Sequence, residues 1–177
     1  FEAGGHNGRE ETTTLVLIPQ VKKATTIPLI AAGGIGSGFA MAAAFALGAE
    51  GVQIGSRFVT TQESSAHLNF KNAIIEAKEG DTQLSLKQLT PVRLLKNPFY
   101  DQVIALEQKG ASKEEQAELL GRGRAKKGMF EGDMTEGELE IGQVSGAIDK
   151  IQTVKEVIDE IVTEYNTVIK KLEGGYL

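Results

Sequence analysis

Between Ile27 and Val59 the chain reads strand, glycine turn, helix, strand, and nothing else in it restricts the fold so narrowly. IPLIAAGGI at 27–35 is an unbroken apolar run that begins at a proline and ends at paired glycines. A strand covered on both faces has this pattern, because both pleat directions must then be apolar. FAMAAAFALG at 39–48 follows as an Ala-rich helix ending on Gly48, a residue free to take the left-handed conformation that closes helices. GVQIGSRFV at 51–59 then reads as a second strand. Connections this short imply parallel pairing through the helix, which makes the segment a βαβ unit and the fold class α/β. Two buried strands would leave their outer edges unpaired. Further strands are therefore expected ahead of Phe1, with this stretch as the C-terminal part of a larger parallel α/β protein.

Helical patterns dominate elsewhere. The first 25 residues read as a loop and a helix, with Pro19 expected in that helix's first turn. Residues 64–78 are amphipathic, Asn97 and Pro98 look like the cap and first residue of another helix, and Ser112 with Glu115 forms a capping box. Thr153 and Glu156 form a second box ahead of a stripe of Val154, Val157, Ile158, Ile161, Val162, Tyr165, Val168, Ile169 and Leu172, which is expected to pack. The charge-rich stretch Gly121–Gly137 is expected to be a mobile loop.

Composition narrows the functional classes. The 177 residues suffice for one domain with a sizeable core, and net charge is −5. A polyanion would need a local basic patch to bind such a surface. The one candidate, GRGRAKKG with Arg122, Arg124, Lys126 and Lys127, has no interleaved aromatic residue, so a nucleic-acid partner is not expected and a solvated loop is. A lesser reading gives this patch the phosphate of a nicotinamide dinucleotide or an acidic carrier protein. The carboxylates of EGDMTEGELE read as a solvated turn, with no His or Cys to complete a metal site. Cysteine is absent, which excludes disulfides and a thiolate nucleophile and fits a reducing, cytoplasmic setting. No apolar run reaches membrane-spanning length.

Chemistry is expected at the two strand ends. Gly33 and Gly34 after one strand and Gly55 after the other let the backbone approach a ligand, and the turn amides with the Ser56 hydroxyl suit a phosphate. The chain's two histidines differ in context. His67 lies in a helical stretch, where a surface or helix-end role is the expectation. His6 lies in AGGHNG, among small residues that leave room for a planar ligand, and is the better general base.

EAGGHNG, IPLIAAGGI, GAEGVQIGSRFV, ESSAHLNFK, VRLLKNPF and GDMTEGELEIGQVSG occur here in that order. Together they resemble the C-terminal half of the nitronate monooxygenase family, formerly the 2-nitropropane dioxygenases, which also contains the flavin-dependent enoyl-acyl-carrier-protein reductase II. The resemblance implies an FMN-dependent TIM barrel. Residues 1–62 would be its last strands and phosphate-binding loops, and 63–177 a mostly helical region packing on the barrel and its active-site face. It implies FMN contacts at Gly5, Gly34, Gln53, Ile54, Gly55 and Ser56 and an active-site role for His6. FEAGGH would follow the sixth barrel strand, so the earlier strands and their FMN contacts are missing from this stretch, which alone is not expected to hold flavin tightly.

Three functions stay open at this point. One is oxidation of nitronates or nitroalkanes with O2. Another is hydride transfer from NADH or NADPH through FMN to an enoyl thioester, with acyl carrier protein as partner. The third is a non-catalytic barrel fragment that binds a phosphate ligand or a partner chain. The appended helices also offer a surface for a homodimer.

Overall fold

The computed structural model describes residues 4–5 and 12–175. Helix α1, Thr14–Ala24, leads into strand β1, Ile30–Ala32, helix α2, Gly38–Ala46, and strand β2, Gly51–Gln53. The two strands are parallel, with Ile30 opposite Gly51 and Ala32 opposite Gln53. This is the expected βαβ unit with shorter strands, because residues 56–59 turn into a short helix, α3, Ser56–Val59, instead of continuing β2. Among the described residues β1 and β2 pair only with each other and no sheet closes. Pro19 sits in the middle of α1, not in its first turn, since the helix already starts at Thr14. The Ser37 hydroxyl accepts from the Ala40 amide to start α2, and Gly48 (φ +105°) follows its C-terminal end in the left-handed conformation.

Beyond α3 the chain forms helix α4, Leu68–Glu76, and then a hairpin of β3, Thr82–Ser85, and β4, Val92–Leu95. The hairpin is an addition to the mostly helical region expected here. Its strands are four residues each and hold apolar and polar side chains in a short alternation that a helical pattern can absorb. Helices α5, Pro98–Gln108, α6, Lys113–Leu120, and α7, Val154–Glu173, begin where the caps place them. The Asn97 side chain accepts from Tyr100 N, and both capping boxes are formed. The stretch expected as a loop contains a π-helical turn at Lys126–Phe130. A 3₁₀ turn spans Gln143–Ala147. No helix of the described residues is long and apolar enough to cross a membrane.

Three apolar clusters hold these parts. Ile18, Leu29, Ala31, Ile35 and Ala44 close the βαβ unit. Phe70, Ile74, Leu95, Leu139 and Ile141 join α4 to the hairpin and the segment before the 3₁₀ turn, and Leu86, Leu94, Phe99 and Val103 join the hairpin to α5. Helix α7 lies across α2, where Glu164 accepts from Gly38 N at 2.7 Å and Phe45 meets Tyr165 edge to face. Gly38 makes this crossing close, since a Cβ there would lie 2.1 Å from Ile161 O and 2.3 Å from Tyr165 N. Only part of the predicted stripe on α7 is covered. Val157 and Ile161 are buried, whereas Ile158, Val162 and Leu172 are exposed, because a single crossing helix hides a narrow face.

Candidate active site

The parallel register places the ends of β1 and β2 side by side, so the turns that follow leave the sheet together. After Ala32 the backbone passes through Gly33 (φ +84°) and Gly34 (φ +70°), a left-handed pair that only glycine adopts without strain. After Gln53 it passes through Gly55 into α3. The two turns enclose a cavity of about 80 Å³ that Gly5 closes from a third segment. Gly5, Gly34, Gln53, Gly55 and Ser56, all expected on sequence grounds to serve one ligand, line it. Ile54 does not, because its side chain packs on the apolar cluster beneath β1. Among the described residues no carboxylate lines this cavity, and a Cβ added to Gly55 would meet nothing within 4 Å. Glycine turns and a serine hydroxyl, with no described carboxylate among them, make a lining that suits an anion.

A second cavity of about 290 Å³ shares Gly55 and Ser56 with the first. Its walls include Val59, Ala66, Phe70, Met129, Phe130 and Ile141, so the β2–α3 turn separates a small polar space from a larger apolar one. One wall is held by Lys71, whose buried ammonium donates to the carbonyls of Thr61 (2.6 Å) and Ser64 (2.8 Å). Arg57, buried at the other side of α3, donates to Gln152 and lies 3.6 Å from Glu160 on α7.

His6 lies outside the described residues. His67 caps α4, its Nδ1 accepting from Asn69 N at 3.1 Å, and lines neither cavity. The basic run is mostly turned onto its own neighbours. Arg124 stacks on Phe99 and pairs with Glu136, Lys126 pairs with Glu131, and Lys127 pairs with Asp133. The acidic run departs from the solvated turn expected for it. A bridge from Leu94 to Glu140 draws the segment onto β4, which leaves Glu138 buried and puts Glu140 on the wall of the apolar cavity. Burial, reinforced by the charge of Glu140 and opposed by Arg124, pushes the Glu138 carboxyl up to about 7. Val144 at the polar cavity and Met129 and Phe130 at the apolar one carried no functional expectation. GQVSG offered a signal only as one piece of the ordered motif set. Among the described residues no three His, Asp or Glu side chains gather as a metal site.

Residues 1–164 match the family model described as nitronate monooxygenase. A Mycobacterium tuberculosis protein described as a monooxygenase is 32% identical over 98% of this chain and 48% of its own length. FabK from Thermotoga maritima superposes with a TM-score of 0.89 at 40% identity, covering 98% of this chain and 55% of FabK. A nitroalkane oxidase from Streptomyces ansochromogenes gives 0.74 at 26% identity, covering 96% of this chain and 51% of its own. The chain thus spans about half the length of the relatives it matches. Its glycine-ended strand pair and its match along residues 1–164 agree, and the chain belongs to the nitronate monooxygenase family.

Proposed function

We propose that the chain is part of an FMN-dependent oxidoreductase that oxidises nitronates or nitroalkanes with O2. The observation that carries this reading is the convergence of Gly34, Gly55 and Ser56 on one small polar cavity at two parallel strand ends. That is where a (β/α)8 barrel holds phosphate, in the loops after its last two strands and at a short extra helix, here α3. On this reading residues 1–62 are the last part of such a barrel, and 63–177, hairpin included, pack over its active-site face.

The residues present fit an FMN phosphate. The Gly33–Gly34 pair and the amides of Gly55 and Ser56 would hold it, with the Ser56 hydroxyl as a further donor. Gln53, exposed at the strand end, and Gly5 would flank the rest of the cofactor, and Ile54 would contribute backbone alone. FMN, when bound, supplies the electron transfer. His6 is proposed as the base that takes the carbon-bound proton of the nitroalkane or orients the nitronate, since it follows in sequence Gly5, which lines the cavity. The apolar cavity beside Ser56 would receive the substrate and keep water from it. A cytoplasmic location and a small-molecule substrate accompany this reading.

A second reading, an NADH- or NADPH-dependent enoyl reductase acting on an acyl thioester, is favoured by the size and apolar walls of that cavity and by the greater similarity to FabK than to the nitroalkane oxidase. An assay of the full-length protein separates the two. Rapid oxidation of NADH or NADPH only in the presence of a crotonyl thioester would rule out the monooxygenase. In either case His6→Ala should lower turnover strongly with FMN retained, and undiminished turnover would remove His6 from the chemistry.

A further inference from the structure

Three consecutive residues before and within the 3₁₀ turn touch all three segments around the polar cavity. Gly142 N donates to Ser56 Oγ at 2.9 Å, which fastens the β2–α3 turn. Gln143 N donates to Gly4 O at 3.0 Å, which fastens the segment that carries Gly5. Val144 lines the cavity, and its Cγ2 lies 2.2 Å from where a Cβ on Gly36 would be, which fills the space beside the β1–α2 turn. The strip is anchored on both sides. Ile141 before it and Ile148 after the 3₁₀ turn are buried in the cluster around Phe70, and Gly146 lies against the Lys78 carbonyl beyond α4.

Gly142 has a specific effect on Ser56. A serine hydroxyl has one proton to give and two lone pairs. With the Gly142 amide on one lone pair, and no described residue accepting its proton, the Ser56 hydroxyl is left to donate to whatever fills the cavity it lines. A Cβ on Gly142 would lie 2.8 Å from Ser56 Oγ and 3.3 Å from Gly4 O. The backbone at Gly142 is ordinary and extended (φ −75°, ψ 166°), so alanine there strains no dihedral and acts through these contacts, the one with Ser56 Oγ being the tightest.

We propose that residues 142–144 are a positioning strap for the phosphate end of the cofactor, with Gly142 holding the Ser56 hydroxyl as a phosphate donor. The strap makes the C-terminal region set how strongly the enzyme prefers a phosphorylated flavin. This rests on the reading that the polar cavity takes the FMN phosphate.

The test is titration of FMN and of riboflavin, which lacks the phosphate, into the flavin-free full-length protein and its Gly142→Ala, Ser56→Ala and doubly substituted forms. Gly142→Ala and Ser56→Ala should each weaken FMN about ten- to a hundredfold, the usual effect of losing a hydrogen bond to a charged group. Riboflavin affinity should hold within about twofold, and the double substitution should add little to either single one. Equal losses for FMN and riboflavin, an unchanged FMN affinity, or additive effects would overturn the strap. If Gly142→Ala does not fold, Val144→Ala takes its place with the same expectation of selective FMN loss and the same refutation. A wild-type protein that binds FMN and riboflavin equally would instead overturn the placement of the phosphate in this cavity.

Discussion

Phe99, under the hairpin, is 0% exposed, whereas Phe39, on the helix that links the two parallel strands, is 52% exposed. The same contrast runs through their surroundings. Around Phe99 the hairpin and α5 close on Leu86, Leu94 and Val103, none more than 1% exposed. In the N-terminal region Leu15 on α1 and Ile27 and Ile30 at β1 are exposed as well. The C-terminal region thus covers its own core, while the βαβ unit presents the apolar faces that neighbouring strands and helices of a parallel sheet cover. The polar cavity lies where the two regions meet, with walls from both.

Substitutions can break that contrast. Phe99→Ala should have the largest effect, a loss of about 3–5 kcal/mol in urea unfolding, because a fully buried ring leaves a cavity. A loss below about 1 kcal/mol would mean that the cluster is loosely packed. Glu138 comes next and depends on pH. Its carboxyl is raised in the folded state from 4.5 to about 7, so the folded protein holds the proton more tightly than the unfolded chain. The stability this gives is complete below about 4.5 and is lost as pH rises through about 7. At about 1.4 kcal/mol per tenfold change in proton affinity, the loss approaches about 3 kcal/mol. Glu138→Gln should therefore raise the melting temperature at pH 8 and leave it nearly unchanged at pH 5. An equal shift at both values would refute the buried carboxyl as its source.

Gly38→Ala tests the join between the regions. Its new methyl would meet backbone atoms of α7, which cannot swing aside as a side chain can, so α2 and α7 must separate at a cost of about 1–3 kcal/mol. Thermal unfolding unchanged by the substitution would show that the crossing is slack. Phe39→Ser should have the smallest effect, within about 0.5 kcal/mol, because its ring is already half in water. A larger loss in the full-length protein would show that other parts of that protein cover it.

Features set by neighbours in sequence are legible in the sequence itself. The Asn97 cap, the two capping boxes and the left-handed Gly48 depend on hydrogen bonds and dihedrals within a few residues, and the sequence carries these directly. The βαβ order was legible for the same reason, and with it the glycines of the polar cavity. What depends on distant partners was not. The hairpin needs β4 to pair with β3 across the turn between them, and Glu138 is buried where its segment is held by Arg124 O and by the bridge from Glu140 to Leu94. Ile54 stands in a run of cavity residues, yet the pleat turns its side chain to the core. The strap showed no chemistry of its own in GQVSG, since Gly142 acts through an amide and through the absence of a side chain.

The central claim is that the glycine turns after β1 and β2 together hold the phosphate of FMN. A crystal structure of the full-length protein with FMN bound tests it most directly. The phosphate should lie between Gly34 and Ser56, within hydrogen-bond distance of their amides and of Ser56 Oγ. A flavin whose phosphate lies elsewhere, with the cavity between these two turns empty of it, would contradict the account.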